Sequence, residues 1–281
     1  MHIRPMQPDD LEFACRCAGQ EGWRTETGPE FEADLEYDPL GCFVAEESQG
    51  PVGLCISVTY GAVGFLGELI VLPSHRRIGI GSALCERALR HLKDQGAESI
   101  FLDGDENAIP MYERFGFRKL FRRPRFAGPV AYGSDRAVRG MLAQDLPQVE
   151  SLDRGTFGAD RSFFLRRNFA LYPELCAVLE DRGQILGFVM GHPGSECVAV
   201  GPWIAHPDMV RPGRLIEGLA ATLRGTSVSL GVLGSNARAT QEAHTLGLEE
   251  SSGETWRMVC GPAGHLEDER WVLAIGSPAR G

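Results

Sequence analysis

The chain has 281 residues, a length that suits two domains with separate hydrophobic cores. Its formal net charge of −10 disfavours a nucleic-acid partner, and it contains no apolar run long enough to cross a bilayer. The 8 cysteines and 7 histidines are scattered without metal-ligand spacing, and the charged opening stretch does not read as a signal peptide. We therefore expect a cytoplasmic protein with no metal, no nucleic-acid partner and no membrane association.

The first half of the chain predicts an alternation of strands and helices. HIRPM is a short strand, QPDDLEFACRCAG a helix with acids in its first turn, and PEFEADLEY a second helix. GCFVAEESQGPVGLCISV predicts a hairpin that turns at residues 48–50, and GFLGELIVLP predicts an apolar strand. A helix from Gly79, the strand ESIFLDG, a helix through AIPMYERF and a strand from Phe117 follow. The result is an α+β domain with the order β-α-α-β-β-β-α-β-α-β.

An acidic stretch overlaps the second of these helices. ETGPEFEADLEYD places six carboxylates between Glu26 and Asp38. Runs of like charge usually mark a solvated helix face, and we interpret this run in that way. The negative balance of the chain still makes a cationic small molecule or a peptide amine an easier ligand than an anionic polymer.

The second half of the chain repeats the first. Four blocks recur in the same order with small drifts in offset: Arg4, Met6, Asp10 and Leu11 match Arg139, Met141, Asp145 and Leu146; CFVAEESQGPVGL matches CAVLEDRGQILGF; Pro73, Arg77 and Gly79 match Pro207, Arg211 and Gly213; Ala108 and Gly116 match Ala239 and Gly247. Such self-similarity is typical of two copies of one fold.

The boundary between the copies is expected where Pro and Gly interrupt the periodic patterns, in residues 121–136. We place the first domain at residues 1–126, a linker at 127–136 and the second domain at 137–281. The repeat is compatible with a monomer in which the two domains pack against each other with pseudo-twofold symmetry.

A glycine turn joins the apolar strand to the next helix in SHRRIGIGSALCERALRHL. The first-turn N–H groups of such a helix point outward, with the positive end of the helix dipole behind them. Gly79 and Gly81 let the backbone approach an anion closely, and Arg76 and Arg77 add cationic donors. The turn therefore predicts a phosphate site, although the pattern alone also fits a purely structural turn.

Two common phosphate motifs are excluded at this turn. A P-loop needs Lys and then Ser or Thr after its last glycine, and a dinucleotide fingerprint needs a third glycine where Leu84 stands. The remaining pattern, R-x-x-G-x-G between a strand and a long helix, resembles the acetyl-CoA pyrophosphate loop of the GNAT acetyltransferases. DENAIPMYERFGF resembles the second GNAT signature, N-x-x-A-x-x-L-Y-x-x-x-G-F, with Asp105 in the Asn place and Met111 in the Leu place.

The whole chain is also similar to the YitH-type tandem members of that superfamily, through AGQEGWR, FLDGD, GPWIA and RMVCGP. The resemblance implies two tandem GNAT domains with mixed sheets. It also implies direct transfer of an acetyl group from acetyl-CoA to the amine of a small molecule or peptide, between the fourth and fifth strands.

The resemblance implies roles for several side chains. Tyr112 stands where the family protonates the sulfur of CoA. We choose Glu68 as the general base, with Asp103 or Glu21 acting through water as alternatives. Trp23 is placed beside the acceptor. Tyr112 and Trp23 also fit core positions, and Glu68 also fits a strand salt bridge.

The resemblance implies a larger set of residues that bind acetyl-CoA. Backbone N–H groups at the end of the fourth strand are expected to serve the pantetheine and the thioester oxygen. The set comprises Ile70, Val71, Leu72, Arg76, Arg77, Ile78, Gly79, Ile80, Gly81, Ser82, Asp105, Ala108 and Tyr112.

The second copy lacks the groups on which this chemistry depends. The replacements are Leu215 for Gly81, Pro212 for Ile78, Ala243 for Tyr112 and Pro202 for Glu68. Proline has no N–H to donate, and alanine has no acidic proton. Asn236 keeps the helix-capping residue of the family. We therefore expect a degenerate GNAT domain that packs against the first and helps to wall the acceptor cleft.

Two other functions remain compatible with the sequence. A non-catalytic acyl-CoA sensor would bind CoA without opening an acceptor pocket. A transferase for a longer acyl chain would need small residues around the tail of the thioester. An amine that raises the rate of thiol release distinguishes an enzyme from a sensor.

Overall fold

The computed structural model describes residues 1–133, 135–223, 225–251, 255–264 and 266–281. Its first ten main elements follow the predicted order, which is confirmed. They are β1 (His2–Pro5), α1 (Leu11–Gln20), α2 (Gly28–Tyr37), β2 (Cys42–Glu47), β3 (Gly50–Tyr60), β4 (Val63–Val71), α3 (Ile80–Asp94), β5 (Ser99–Asp105), α4 (Ile109–Arg114) and β6 (Arg118–Arg122).

The rest of the chain repeats this order from β8 to β13, with one additional strand before the repeat and two after it. Its elements are β7 (Arg125–Gly128), β8 (Val138–Gly140), α5 (Leu146–Phe157), α6 (Ser162–Leu171), β9 (Ala177–Asp181), β10 (Gln184–Pro193), β11 (Val198–Ala205), α7 (Arg214–Leu223), β12 (Val228–Gly231), α8 (Ala237–Thr245), β13 (Glu249–Glu250), β14 (Thr255–Cys260) and β15 (Val272–Ala274). Among these described segments, no helix is long and apolar enough to span a membrane.

Two sheets have matching strand orders. The first runs β1-β2-β3-β4-β5-β14-β6, and the second, read in the same direction, runs β8-β9-β10-β11-β12-β7-β13, with β15 paired to β11. Each sheet therefore contains one strand from a distant part of the sequence, β14 in the first and β7 in the second. The expected α+β fold with mixed sheets and two tandem copies is confirmed.

The chain divides into two compact units that are not continuous in sequence. The first unit comprises residues 1–120, 256–264 and 278–281, and the second comprises residues 121–255 and 265–277. These units differ from the expected continuous domains, 1–126 and 137–281. The physical reason is the placement of β14, which supplies hydrogen-bonding partners to β5 and β6 that their own half of the sequence does not supply.

An ion-pair clamp at the start of each unit confirms the repeat at the level of side chains. In the first unit, Arg4 Nη1 donates to Asp10 Oδ2 at 2.6 Å, and Arg4 Nε donates to Glu46 Oε2 at 2.9 Å. The second unit repeats both bonds: Arg139 Nη1 donates to Asp145 Oδ2 at 2.6 Å and Arg139 Nε to Glu180 Oε2 at 3.0 Å. The clamp joins the first strand, the first helix and the second strand, so equivalent residues shape both units.

A buried ion pair joins β14 to β5 in the first unit. Arg257 Nε donates to Asp103 Oδ1 at 2.7 Å, and both side chains are 1% exposed. The guanidinium also lies 5.5 Å from the centre of the Phe65 ring. The pair ties the inserted strand to its neighbour β5 through buried side chains.

Removal of the buried carboxylate tests this contact. Asp103→Ala is expected to lower the free energy of unfolding by about 3–5 kcal/mol, because the buried Arg257 guanidinium loses the two hydrogen bonds that Asp103 accepts. As a control, Glu86→Ala removes the partner of Arg90 in a pair whose side chains are 64% and 61% exposed, and is expected to cost about 0–1 kcal/mol. Urea denaturation measures both, and equal losses would contradict the assignment.

Candidate functional site

The site begins where two parallel strands separate. The pairing of β4 with β5 covers the residue pairs from Val63–Ser99 to Phe65–Phe101, although the strands continue to Val71 and Asp105. Parallel strands that stop pairing leave backbone groups facing the space between them. This separation creates an opening in the middle of the first sheet.

A β-bulge in β4 lies just beyond the last paired residues. Gly67 pairs with Ile56 and Ile70 with Leu54, so Glu68 and Leu69 both lie opposite one residue of β3. Glu68 has a φ of 48°, a backbone conformation that residues other than glycine rarely adopt. A bulge bends its strand and strengthens the local twist, and here it directs β4 away from β5.

A cavity of about 710 Å³ occupies the opening in the first unit. Four segments line it: β4 through Leu69, Ile70 and Val71; the glycine turn through Arg76, Arg77, Gly79, Gly81 and Ser82; the β5–α4 segment through Asp105, Asn107, Ala108, Met111, Tyr112 and Arg114; and the α1–α2 connection through Glu21 and Trp23. The structure thus brings together twelve of the residues that the sequence nominated.

The start of α3 faces this cavity with N–H groups that have no acceptor within the helix. Gly79 has a φ of 96°, and the first N–H to bond within the helix is that of Ala83, which donates to Gly79 O at 3.0 Å. The N–H groups of the preceding residues, 80–82, have no carbonyl within the helix to bind. Ile80 can contribute to this helix start only through its backbone, because its side chain is in the core and 3% exposed. Ile78 is 67% exposed. The turn therefore has the geometry of an anion site.

The two arginines of the turn differ in their contacts. Arg76 Nε donates to Val71 O at 2.7 Å, and its Nη2 forms an ion pair with Glu21. These bonds tie the turn to the end of β4 and to the α1–α2 connection. Arg77 lines the cavity with its backbone in the left-handed region, at a φ of 64°. Arg76 thus fixes the turn, and Arg77 lies beside the open helix start.

The end of β4 directs the N–H group of Val71 toward the cavity side. Leu72 N–H donates to Val52 O at 2.9 Å, so it is already used in the pairing with β3. Backbone groups alternate in direction along a strand, so the N–H of Val71 points away from β3, toward the opening. The prediction for Leu72 does not fit this geometry, and Leu72 is absent from the described residues that line the cavity.

Tyr112 lies in the wall of the cavity as a protonated phenol. Its side chain is 7% exposed, and its ring packs edge-on against Phe117 with 5.9 Å between centroids. Burial, reinforced by neighbouring thiols and carboxylates, raises the pKa of Tyr112 well above its ordinary value of 10. The hydroxyl group therefore keeps its proton throughout the neutral range and can donate it.

Two nominated carboxylates lie outside the lining of the cavity as described. Asp103 accepts a hydrogen bond from Arg257 in the buried pair of β5 and β14. It therefore stabilises the sheet and does not line the cavity where an acceptor molecule would bind. Glu68 occupies the bulge, where it is 5% exposed and adjacent to the lining residue Leu69. Glu21 is in the wall, paired with Arg76.

Four lining residues were not nominated from the sequence: Leu69, Asn107, Met111 and Arg114. A helical pattern could have identified two of them, because Met111 is three residues beyond Ala108 and Arg114 is three beyond Met111. Leu69 depends on the bulge, which no sequence pattern indicated.

The equivalent opening in the second unit is filled by the chain itself. β11 pairs with β12 only from Val198–Val228 to Ala199–Ser229 in the described strands. Beyond that point β15 pairs with β11, and Ala205 N–H donates to Trp271 O at 3.0 Å. By the sequence repeat Ala205 corresponds to Val71, so the N–H that faces the cavity in the first unit is bonded internally in the second.

The helix start of the second unit is also occupied. Gly213, the counterpart of Gly79, donates its N–H to Glu242 Oε2 at 3.0 Å, and Glu242 is 9% exposed. A side-chain carboxylate therefore takes the position that an external anion would take. Asn236 accepts a hydrogen bond from Ala239 N–H at 3.1 Å, which confirms its predicted capping role.

Removal of that internal carboxylate tests its role. Glu242→Ala is expected to lower the free energy of unfolding by about 0.5–2 kcal/mol, because the start of α7 loses a buried acceptor. Gln241→Ala, at the exposed neighbouring position, serves as the control. Guanidinium denaturation measures both, and a loss no larger for Glu242→Ala than for the control would contradict the assignment.

Comparisons with known proteins agree in both halves. Residues 9–117 match the acetyltransferase (GNAT) family, and residues 149–271 match an acetyltransferase (GNAT) domain. The chain is 23% identical over 215 residues to the uncharacterized N-acetyltransferase YitH of Bacillus subtilis, an alignment that covers 75% of this chain and 74% of YitH. It is 32% identical over 110 residues to the mycothiol acetyltransferase of Thermobispora bispora, covering 36% of this chain and 37% of that relative.

Solved structures share the fold over the whole chain. A putative acetyltransferase from Pyrococcus horikoshii has a TM-score of 0.82 at 21% identity and covers 100% of this chain and 95% of its own. A tandem GNAT protein from the clavulanic acid biosynthesis pathway has a TM-score of 0.63 at 13% identity and covers 93% of this chain and 99% of its own.

Proposed function

The chain belongs to the GNAT family of acetyltransferases, with two such domains in tandem, and we propose that its first unit transfers an acetyl group from acetyl-CoA to an amine. The observation that supports this most directly is the cavity that joins an anion-binding helix start, an outward N–H of β4 and a protonated Tyr112. The helix start can bind a diphosphate, the strand N–H can bind a pantetheine amide, and the tyrosine can protonate a leaving thiolate.

The donor is proposed to lie along this cavity. Its diphosphate would accept from the N–H groups at the start of α3, with Arg77 as the neighbouring cation. Its pantetheine arm would follow β4, where the N–H of Val71 is directed toward the opening. The thioester would then lie near the bulge and near Tyr112.

The proposed reaction is a direct transfer. The neutral amine attacks the thioester carbonyl carbon, the C–N bond forms and the C–S bond breaks. Tyr112 gives its proton to the departing thiolate, and a base takes the proton that the amine nitrogen loses. We retain Glu68 as that base, because its bulge position is adjacent to the cavity wall; Glu21 acting through water is the alternative within the lining itself.

The second unit is proposed not to bind acetyl-CoA. Its strand opening is filled by β15, and the start of α7 is bonded by Glu242. Its Ala243 offers no proton donor in the place of Tyr112. We propose that it serves folding, consistent with the exchange of strands between the two halves of the sequence.

The acceptor is proposed to be the amine of a small molecule or a peptide. A thiol-release assay with acetyl-CoA should test polyamines, amino acids, short peptides and amino sugars. Amino sugars are included because a glucosamine 6-phosphate N-acetyltransferase of Trypanosoma brucei brucei is 36% identical over 64 residues. The expected result is that one of these amines raises the rate of CoA release. Binding of acetyl-CoA with no amine that raises this rate would contradict the proposal of an enzyme.

We propose the cytoplasm as the compartment. All 8 cysteines are free thiols in the structure, as expected of a protein kept in a reducing environment.

Replacement of the proposed acid tests the mechanism. Tyr112→Phe is expected to keep CoA affinity and lower turnover by about 10²–10⁴-fold, because the thiolate then leaves without this proton donor. Tyr132→Phe removes a hydroxyl group from a tyrosine that is 66% exposed and serves as the control. The wild-type rate should show no loss from phenol ionisation below about pH 10, because burial raises the pKa of Tyr112. Unchanged turnover in the variant would reject the role.

A substitution at the helix start tests where CoA binds. A Cβ at Gly81 would lie 3.6 Å from Met111 Sδ and from Val71 Cγ2. A variant with a larger residue here can therefore fold, but its side chain must enter the cavity. Gly81→Leu is expected to weaken CoA binding by about 10- to 100-fold, because a leucine side chain in the cavity keeps the diphosphate away from the N–H groups and removes about one charge-assisted hydrogen bond.

The matched control is Gly155→Leu, at an exposed helical glycine of the second unit with open space around its Cβ position. Isothermal titration calorimetry should give one CoA per wild-type chain, with unchanged affinity in the control. Two sites per chain, or an affinity insensitive to Gly81→Leu, would contradict the proposal.

A further inference from the structure

The wall of the first-unit cavity contains a cation that the proposed reaction does not use. The charged lining residues are three arginines and two carboxylates: Arg76, Arg77, Arg114, Glu21 and Asp105. Arg76 is bonded to Val71 O and paired with Glu21. Arg77 and Arg114 form no hydrogen bond or ion pair with another of the described residues. A guanidinium that lines a cavity without a protein partner is available to an anionic ligand.

Arg114 lies on the side of α4 that is next to the start of α3. A Cβ at Gly81 would lie 3.6 Å from Met111 Sδ, so Met111 lies against the first turn of α3. Arg114 is three residues beyond Met111 in α4. Side chains at this spacing are neighbours on one side of a helix, with about 5–6 Å between their Cβ atoms. The Arg114 side chain therefore begins one helical turn from the contact with the anion site.

Tyr112 lies on a different side of α4. A Cβ at Gly104 would lie 3.2 Å from Cδ2 and Cε2 of Tyr112, so the phenol ring packs against the end of β5. Residues two apart on a helix do not face the same way, which separates Tyr112 from Arg114. Burial is the main cause of the raised pKa of Tyr112, and the charge of Asp105 adds to it, so Asp105 belongs to the phenol end. The cavity thus has a proton-donating end and a separate cationic end.

The proposed donor carries an anion that suits the cationic end. CoA has two separate anionic groups, the diphosphate and the 3′-phosphate of its ribose. The 3′-phosphate is a monoester, and such groups carry a charge of about −1.5 to −2 at pH 7. The start of α3 and Arg77 provide for the diphosphate, which leaves the 3′-phosphate for another cation. Because the whole chain has a net charge of −10, this anion needs a local cation.

An anionic group of the acceptor fits the position of Arg114 less well. The resemblance to the GNAT family places the acceptor beside the α1–α2 connection, which contributes Glu21 and Trp23 to the wall. Arg114 comes from α4, on the side next to the start of α3. Its position therefore favours the nucleotide end of the donor over the acceptor.

We propose that Arg114 binds the 3′-phosphate of the donor and makes the cavity select CoA thioesters over thioesters of 3′-dephospho-CoA or phosphopantetheine; this inference rests on the CoA site of the proposed function. The guanidinium donates hydrogen bonds to the phosphate oxygens, in the planar arrangement that arginine uses for phosphate. Arg77 and the start of α3 hold the part that CoA shares with 3′-dephospho-CoA. Arg114 reads the part that distinguishes them.

Calorimetry with CoA and with 3′-dephospho-CoA tests this contact without catalysis. Wild type is expected to bind CoA about tenfold more tightly, which is the worth of one solvent-exposed, charge-assisted hydrogen bond. Arg114→Ala should bind both ligands with the affinity that wild type has for 3′-dephospho-CoA. Arg114→Lys keeps the charge without the planar fork and should discriminate to an intermediate extent. Arg114 is exposed, so these variants are expected to fold.

Two other arginines serve as controls in the same measurement. Arg77→Ala should weaken both ligands by the same factor, because they share the diphosphate. Arg118→Ala removes an exposed guanidinium four residues from Arg114, outside the lining as described, and should leave the discrimination as in wild type. Equal affinity of wild type for the two ligands, or a discrimination that survives Arg114→Ala, would overturn the proposal.

Steady-state kinetics with acetyl-CoA and acetyl-3′-dephospho-CoA separate the donor from the acceptor. Arg114→Ala should raise KM for acetyl-CoA about tenfold, to the KM for acetyl-3′-dephospho-CoA. An increase in KM for the amine alone would place Arg114 on the acceptor side and overturn the proposal.

The failure of this inference is distinct from the failure of the proposed function. Loss of discrimination in Arg114→Ala by calorimetry, with no amine that raises the rate of CoA release, would support the 3′-phosphate contact and contradict the acetyl transfer. Absence of CoA binding by wild type would overturn both.

Discussion

The early end of the pairing between β4 and β5 is the constraint from which the site follows. Backbone N–H and C=O groups that leave a sheet need other partners, and a buried opening cannot keep them unbonded without a large cost. In the first unit the bulge at Glu68 bends β4 away, and the opening becomes a cavity lined by Val71, Tyr112 and the start of α3. A ligand with an extended amide chain and a terminal anion meets these needs.

The second unit satisfies the same constraint from within. β15 completes the hydrogen bonding of β11, and Ala205 donates to Trp271 where Val71 faces the cavity in the first unit. The carboxylate of Glu242 binds at the start of α7, where an external phosphate would otherwise be stabilised by the helix dipole. The two units therefore share one architecture and differ in whether the chain itself fills the opening.

Local patterns in the sequence predicted the elements of the fold and the wall of the cavity, because both depend on short-range features. Helical spacing, a glycine with a positive φ and a tyrosine on a helix face leave a direct trace in the residues. The repeat added the architecture, since Arg4 and Arg139 form equivalent clamps. Pairings between distant segments leave no such trace, so the insertion of β14 and the pair of Asp103 with Arg257 were not predicted. The acidic run was misjudged for the same reason, since Asp34 is buried against Arg280, which lies far along the chain.

A crystal structure of the full chain with CoA tests the central claim most directly. The account predicts diphosphate density at the N–H groups of residues 79–82, a pantetheine amide bonded to the N–H of Val71 and the sulfur near Tyr112, with β15 still paired to β11. Density for CoA at the start of α7, or CoA held elsewhere with the cavity of the first unit empty, would contradict it.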